Sequence, residues 1–218
     1  GKITDGPETC FRCWSASLES RFPARRAITW ENWAEIKSCK TQSDMVSKIT
    51  NALCPIHDAY VYDHSQTPIV RVHIGGEFYS EKYFLSWMDV ARYFELTQFY
   101  AYTKALPLWV SNNIPANFEL NASRGGKYDH LIGQYNLKEA RVVYSEQEAK
   151  SLKLEIDHDD SLAHSGDSSF ALLLHGTQPA GSEASKALQL LKQSGFHGYG
   201  KTSKDYVKGK SEQSKKVL

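Results

Sequence analysis

The sequence lacks any apolar run long enough to cross a bilayer, and its N-terminus does not resemble a signal peptide. It also lacks a nucleophile elbow, a Walker-type phosphate loop, a dinucleotide fingerprint and a zinc-protease helix. The formal net charge is only +1 over 218 residues, so the body of the chain gives no electrostatic argument for a nucleic-acid or membrane partner. These absences disfavour hydrolases, nucleoside triphosphatases and membrane proteins, and they predict a cytoplasmic protein.

What the sequence does contain is an alternation of strand-like and helix-like segments after Pro68. The alternation predicts an α/β fold with flanking helices, in which a parallel sheet is either open or curled into a partial barrel. We expect a single α/β domain over residues 1–198. Within it, residues 1–66 form a cysteine-containing helical cap and residues 67–198 form the β-α repeats. Residues 199–218 are rich in lysine and are expected to form a basic flexible tail, with phosphate binding as the alternative.

Short runs of β-branched or aromatic residues predict the strands. A serine or threonine that precedes a segment with apolar residues at helical spacing predicts the start of a helix. Residues 155–168 are polar and acidic and are expected to form a loop. The expected strands are Val70–Ile74, Gln98–Ala101, Phe118–Asn121, Ala140–Tyr144 and Phe170–Leu174, and the expected helix caps are Thr29, Ser43, Ser80 and Ser182.

Four of these strands run directly into small, polar or ionisable residues. Parallel sheets carry their ligand sites outside the carboxyl ends of the strands. Gly75 and Gly76 would let a ligand reach the backbone, and Glu77 could accept hydrogen bonds from a ligand ammonium or hydroxyl. A solvated turn glutamate is the alternative. Ser123 and Arg124, followed by two glycines, could bind an anion or simply form a turn.

Three further residues at strand ends or in the acidic loop are candidate catalytic groups. Lys104 follows an aromatic strand that could desolvate its amine, although a solvent-reaching lysine is equally consistent with the pattern. His175 follows a buried apolar strand and is the preferred general acid or base. Asp157 begins the run Asp-His-Asp-Asp, which could bind a hard cation or share a proton. His73 is either catalytic or a core histidine bonded to a neighbour.

The cysteines give the strongest local signal. Cys10 and Cys13 form a C-x2-C pair, and Cys54 and His57 form a second Cys/His pair downstream. In a reducing compartment such a pair is better interpreted as a metal or redox site than as a structural disulfide. The four residues predict a zinc site, with an iron-sulfur cluster as the other metal centre that cysteines could hold.

Several short strings resemble an uncharacterised family of tailed-phage proteins, and the resemblance spans most of the chain. They include FRCWSA at residues 11–16, RVHIGGEF at 71–78, FYAYTK at 99–104, ASRGG at 122–126 and LHGTQP at 174–179.

A second resemblance is to the partial barrel of radical S-adenosylmethionine enzymes. It implies that Cys10 and Cys13 match the last two cysteines of a C-x3-C-x2-C cluster motif, and that Gly75, Gly76 and Glu77 contact the cofactor. The position of the first cysteine is occupied by Gly6, so a third thiolate must come from elsewhere. The resemblance implies an iron-sulfur cluster and S-adenosylmethionine as cofactors.

Together these observations predict a phage-type metalloprotein with a cysteine-bound iron-sulfur cluster, or zinc as the alternative metal, which could act as a radical S-adenosylmethionine-like enzyme on a nucleotide or another small molecule. The competing function is a zinc-stabilised protein that binds nucleic acid, through Arg25, Arg26 and exposed aromatic residues, or a host protein, without catalysis. The sequence makes no prediction of oligomeric state.

Overall fold

A computed structural model describes residues 3, 5, 10–63 and 67–199 of the chain. Its centre is a six-stranded sheet in which every strand pair is parallel, so the predicted α/β class is confirmed. The sheet is open rather than closed, and the strand order is β1-β2-β3-β4-β6-β5. The strands are β1 Ile69–Val72, β2 Gln98–Thr103, β3 Phe118–Ser123, β4 Glu139–Val143, β5 Glu155–Ile156 and β6 Phe170–Leu173.

Helices flank the sheet, and three of them precede the first strand, as the predicted helical cap requires. A π-helical turn, Ala59–Asp63, extends the third of these helices. The α-helices are α1 Trp14–Arg21, α2 Pro23–Lys37, α3 Gln42–Asp58, α4 Glu81–Tyr93, α5 Leu106–Val110, α6 His130–Gln134, α7 Glu146–Ser151, α8 Ser161–Ser165 and α9 Glu183–Gln193.

The apolar core lies on the face of the sheet covered by the long helices. Because side chains alternate along a strand, Phe99 and Ala101 point to this face and are fully buried. Phe84 and Met88 of α4 pack there with no exposed surface. Helix α9 packs on the other half of the sheet, where Leu173 lies in a second apolar cluster. These buried side chains fix which face of each strand is turned toward the helices.

The predicted starts of two N-terminal helices are wrong. Helix α2 begins at Pro23, and proline suits the first turn because backbone N–H groups have no partner within the helix there. Thr29 therefore lies inside the helix. Thr29 Oγ1 donates instead to the carbonyl of Arg25. Helix α3 is capped by Thr41, not Ser43, because Thr41 and Asp44 form a reciprocal capping box. The predicted caps Ser80 and Ser182 are confirmed.

All five predicted strands and one loop also differ from the prediction at their boundaries, and β2 and β3 each end two residues later than predicted. Strand β1 stops at Val72 because His73 has a φ of 64°, which is incompatible with an extended strand. Strand β4 starts and ends one residue earlier than predicted, and β6 ends at Leu173. The segment 155–168 is not a continuous loop, because it contains β5 and α8.

The second face of the sheet is polar near β1 and β2 and is covered by α8. The Asp160 carboxylate, just before α8, accepts hydrogen bonds from the hydroxyls of Tyr100 and Tyr102, each at 2.8 Å. It also pairs with the Arg71 guanidinium at 2.8 Å. Asn121 of β3 donates to the carbonyl of Ala163 in α8. The sheet therefore curves enough for the connection that follows β5 to reach β1 at the opposite edge.

Within the described part of the chain, no helix is sufficiently long and apolar to cross a membrane. Residues 200–218 of the predicted basic tail lie outside the described residues. Tyr199, which the prediction assigned to that tail, packs on His175, with ring centroids 4.9 Å apart, and its hydroxyl accepts from the amide of Leu173.

Replacing Asp160 with Asn should lower the free energy of unfolding by about 1–3 kcal/mol. The change keeps the shape and tolerates the positive φ of 66° at this position, but it removes the charge that binds Arg71 and the two tyrosines. Urea unfolding would measure the loss. Asp167→Asn is the matched control because Asp167 is exposed. Equal stability of both variants would show that the Asp160 charge does not hold α8 on the sheet.

Candidate functional site

The segment that carries Cys10 and Cys13 lies across the carboxyl ends of the strands. The Cys10 carbonyl accepts from the hydroxyl of Tyr144, which follows β4, at 2.8 Å. The Arg12 amide donates to the side-chain carbonyl of Gln178 at 2.7 Å, beyond the end of β6. Both cysteines are free and exposed. The thiols are thus presented to solvent at the end of the sheet where parallel α/β proteins place their ligand sites.

Two glycines allow the start of α1 to approach these strand ends closely. A Cβ placed on Gly75 would lie only 2.1 Å from Ser15 Oγ, so a side chain there would force the Ser15 side chain to move. A Cβ on Gly176 would lie 3.1 Å from the Trp14 ring, and the residue has a φ of 80°. The predicted role of Gly75 as a point of close backbone approach thus applies within the chain itself, where the approaching group is Ser15.

Glu77 joins the end of β1 to the end of β2. Its carboxylate accepts from the Thr103 hydroxyl at 2.6 Å and from the amides of Lys104 and Phe78 at 2.5 and 2.8 Å. These bonds hold the loop after β1 in one position. The Glu77 oxygens that were predicted to accept hydrogen bonds from a ligand ammonium are therefore already largely occupied.

Lys104 lies beside the thiol segment. Its ammonium donates to the carbonyls of Ser123 and Arg124 at 2.7 and 3.0 Å, which leaves one of its three N–H donors for another group. The side chain is exposed as a whole, but partial desolvation lowers the pKa of Lys104 below its usual value. The nearby charges of Asp129, Glu77 and Cys13 oppose this shift, which places Cys13 within electrostatic range of the amine.

The predicted anion site after β3 is occupied by carboxylates of the chain itself. The Arg124 guanidinium forms an ion pair with Glu139 at the start of β4. The amides of Gly125 and Gly126 donate to the Asp129 carboxylate, both at 2.9 Å. Ser123 contributes its backbone carbonyl, which accepts from Lys104. Because these donors are already paired, the segment serves as a scaffold for Lys104.

His175 is close to the thiol segment, whereas Asp157 is not a surface group. The Nδ1 atom of His175 lies 3.0 Å from the Leu173 carbonyl, and the ring packs between Trp14 and Tyr199. Burial lowers the pKa of His175, which favours the neutral imidazole. Asp157 is only 1% exposed and accepts from backbone amides at the start of α8, and burial raises its pKa.

The structure does not bring the four predicted zinc ligands together. Cys54 and His57 lie on α3, where the His57 ring packs on Phe94 with centroids 4.8 Å apart. Cys10 and Cys13 lie instead beside the ends of β4 and β6. Among the residues that the structure describes, no group of three or more His, Cys, Asp or Glu side chains is arranged to hold a metal ion.

His73 is a feature that the sequence left ambiguous. Its Nε2 atom lies 2.8 Å from the Tyr83 hydroxyl, and its ring contacts Phe78 and Trp87. The buried Nδ1 atom has no hydrogen-bond partner. Burial lowers the pKa of His73 to about 4. The acidic run at residues 157–160 did not reveal the role of Asp160, because the two tyrosines that it binds lie some 60 residues earlier in the sequence.

Comparison with known proteins gives one match. A protein-family model described as Gene product 88 matches residues 6–192, which is most of the chain. The match supports the resemblance to an uncharacterised phage protein family, and it does not support the resemblance to radical S-adenosylmethionine enzymes. No curated protein and no solved structure matches the chain.

Because burial lowers the pKa of His73, the folded protein should become less stable in acid. Between its ordinary pKa of 6.5 and about 4, the unfolded state binds the proton and the folded state does not, so stability falls as the pH drops through this window. The full loss should be roughly 3 kcal/mol. Urea unfolding across this pH range would measure it.

The control variant is His73→Asn, because asparagine tolerates the positive φ at this position and does not titrate. Its stability should fall less steeply with acid, while His175 still contributes a loss in the same direction. A variant as acid-sensitive as the parent protein would contradict the assignment to His73.

Proposed function

We propose that this chain, which belongs to the gene product 88 family, is a phage-type enzyme whose reactive centre is the Cys10/Cys13 pair over the carboxyl ends of the strands. One observation carries the proposal. The thiol-bearing segment is held on these strand ends by contacts to Tyr144 and Gln178 and lies within electrostatic range of Lys104. An N-terminal segment that served only solubility would not need these specific contacts to the strand ends.

The thiol pair suits a soft metal centre with open coordination positions. Two thiolates three residues apart can bind one metal atom, and both are exposed. Cys54 and His57 are not part of this centre, so within the described residues a closed four-ligand zinc site is not formed. An iron-sulfur cluster would require at least one thiolate beyond these two, and it would supply one-electron chemistry.

The neighbouring side chains provide binding and proton transfer. Lys104 can donate its remaining N–H to an anionic or carbonyl group of a ligand beside the thiols. His175 donates from Nδ1 to the Leu173 carbonyl in its neutral form, which leaves Nε2 as an acceptor suited to a general base. Glu77 keeps the loop after β1 in place through Thr103 and the Lys104 amide.

A zinc-stabilised binding protein without catalysis is the competing proposal. The observation that favours it is the exposed aromatic surface of α2, where Trp30 and Trp33 are 57% and 43% exposed. Aromatic side chains of this kind can stack on nucleic-acid bases. The metal that the thiols retain distinguishes the two functions, because iron with sulfide indicates redox chemistry and zinc alone indicates a structural centre.

Anaerobic purification followed by iron, zinc and sulfide analysis tests the centre. Cys10→Ser and Cys13→Ser should each lose most of the bound metal, because removing one of two thiolates leaves a single ligand. Cys54→Ser is the matched control, since this cysteine lies on α3 away from the pair, and it should retain the metal.

Two results would overturn the proposal. One is parent protein that holds neither iron nor zinc after anaerobic reconstitution with iron and sulfide, or with zinc. The other is a Cys13→Ser variant whose metal content equals that of the parent protein. Far-ultraviolet circular dichroism of each variant would establish that the fold persists, because both thiols are exposed and lie outside the apolar core.

A further inference from the structure

A groove of about 990 Å³ lies between α2, α3 and the loop that follows β1. This volume is at the upper end of the range that holds cofactor-sized or drug-sized molecules. The groove adjoins the thiol segment, because Trp14, Gly75 and Glu77 line it. Its walls are largely aromatic and aliphatic, and they include Trp33, Ile36, Leu53, Tyr79 and Trp87.

We infer that this groove binds a planar nitrogen heterocycle of the nucleobase class, carried on an uncharged nucleoside. The inference deepens the proposed function by naming a substrate class, and it rests on that proposal only for the claim that the bound molecule is the substrate. The flat faces of the heterocycle match the aromatic walls, and its lack of charge matches a lining that carries no excess of positive charge. Each of these correspondences follows from specific residues.

The first correspondence is the uncovered face of α2. None of the 15 residues of α2 is buried, although the helix carries isoleucine and tryptophan side chains. Trp33 lines the groove, and Lys37 Nζ lies 5.5 Å from the Trp33 ring centroid and 5.1 Å from that of Tyr79. The lysine therefore fixes two aromatic side chains near each other at the groove. Stacking on such rings accepts any nucleobase, since every base has a π-face.

The second correspondence is His73. The residue lines the groove and has a strained positive φ of 64°, which costs a non-glycine residue of this kind about 1 kcal/mol. Its Nδ1 atom is buried without a partner, while Nε2 is held by Tyr83. Neither ring nitrogen is therefore free to bond a ligand in the groove, and His73 contributes there as part of the ring-rich lining. Backbone strain of this kind is typical of positions that contact a ligand.

The third observation separates a free nucleoside from a nucleic-acid strand. The lining carries more negative than positive charge, because it contains the carboxylates of Glu19, Glu35 and Glu77 but only two cations, Arg25 and Lys48, and Lys48 is ion-paired to Glu35. Binding to a phosphate backbone requires a positive groove, which this lining does not provide. An uncharged ligand pays no such electrostatic penalty. The groove therefore favours a nucleoside over an oligonucleotide.

Isothermal titration calorimetry of the full chain with adenosine, guanosine, cytidine and uridine tests the inference. At least one of them should bind saturably. Trp33→Ala should weaken that binding about tenfold or more, in line with the usual effect of removing a stacking partner. Tyr135→Ala is the control, because Tyr135 is an aromatic residue that is 50% exposed and does not line the groove, whereas Trp30 packs on the Trp33 ring with centroids 5.5 Å apart.

A second variant tests the contribution of His73 to the groove. His73→Asn tolerates the positive φ but removes the ring from the lining, so it should weaken binding of the preferred nucleoside several-fold. The same titration with Cys13→Ser should give the parent affinity. Nucleoside binding by Cys13→Ser would therefore support the groove as a binding site whether or not the thiols bind a metal.

Three outcomes would overturn the inference. The first is the absence of saturable binding by all four nucleosides. The second is an equal loss of affinity in Tyr135→Ala and Trp33→Ala, which would show that Trp33 has no specific part in binding. The third is tighter binding of a short single-stranded oligonucleotide than of any nucleoside, which would make the surface a nucleic-acid interface instead.

Discussion

The parallel direction of all six strands is the constraint on which the rest of the structure depends. It places the carboxyl end of every strand at the same side of the sheet, so the segments that follow β1, β2, β4 and β6 can all reach one region. The N-terminal segment is held there by Tyr144 and Gln178, and Gly75 and Gly176 leave room for Ser15 and Trp14. The location of the thiols therefore depends on strand direction, on these contacts and on two glycines.

The curvature of the sheet follows from a polar interaction rather than from apolar packing. Strands β1 and β5 are the two edges of the sheet and do not pair with each other, yet Asp160, beyond β5, binds Arg71 in β1. The same carboxylate binds two tyrosines of β2, on the face that does not carry the main core. Helix α8 thus fills the concave face that a closed barrel would enclose. The sheet stays open because this helix and its carboxylate occupy the space between its edges.

The sequence was sufficient to predict the parallel sheet, because buried strands alternate with capped amphipathic helices in a regular order. It was also sufficient to place Glu77, Lys104 and His175 at strand ends. It could not show that Arg124 pairs with Glu139 or that Asp129 occupies the glycine amides, because those partners depend on the stagger between neighbouring strands. Nor could the spacing of Cys54 and His57 reveal that α3 holds them apart from the first pair. Pairing between distant segments is set by tertiary structure, and a single sequence carries little information about it.

The loop after β1 connects the two parts of the proposed site. His73 at its start and Glu77 at its end both line the groove, and Glu77 is also bonded to Thr103 and to the amide of Lys104. Only three residues separate them, and two of these are glycines. Both ends of the loop are anchored, Glu77 by three hydrogen bonds and His73 by Tyr83 and the Phe78 ring. The groove and the proposed thiol site therefore share one support, and this anchoring at both ends is what allows the strained backbone of His73 to persist.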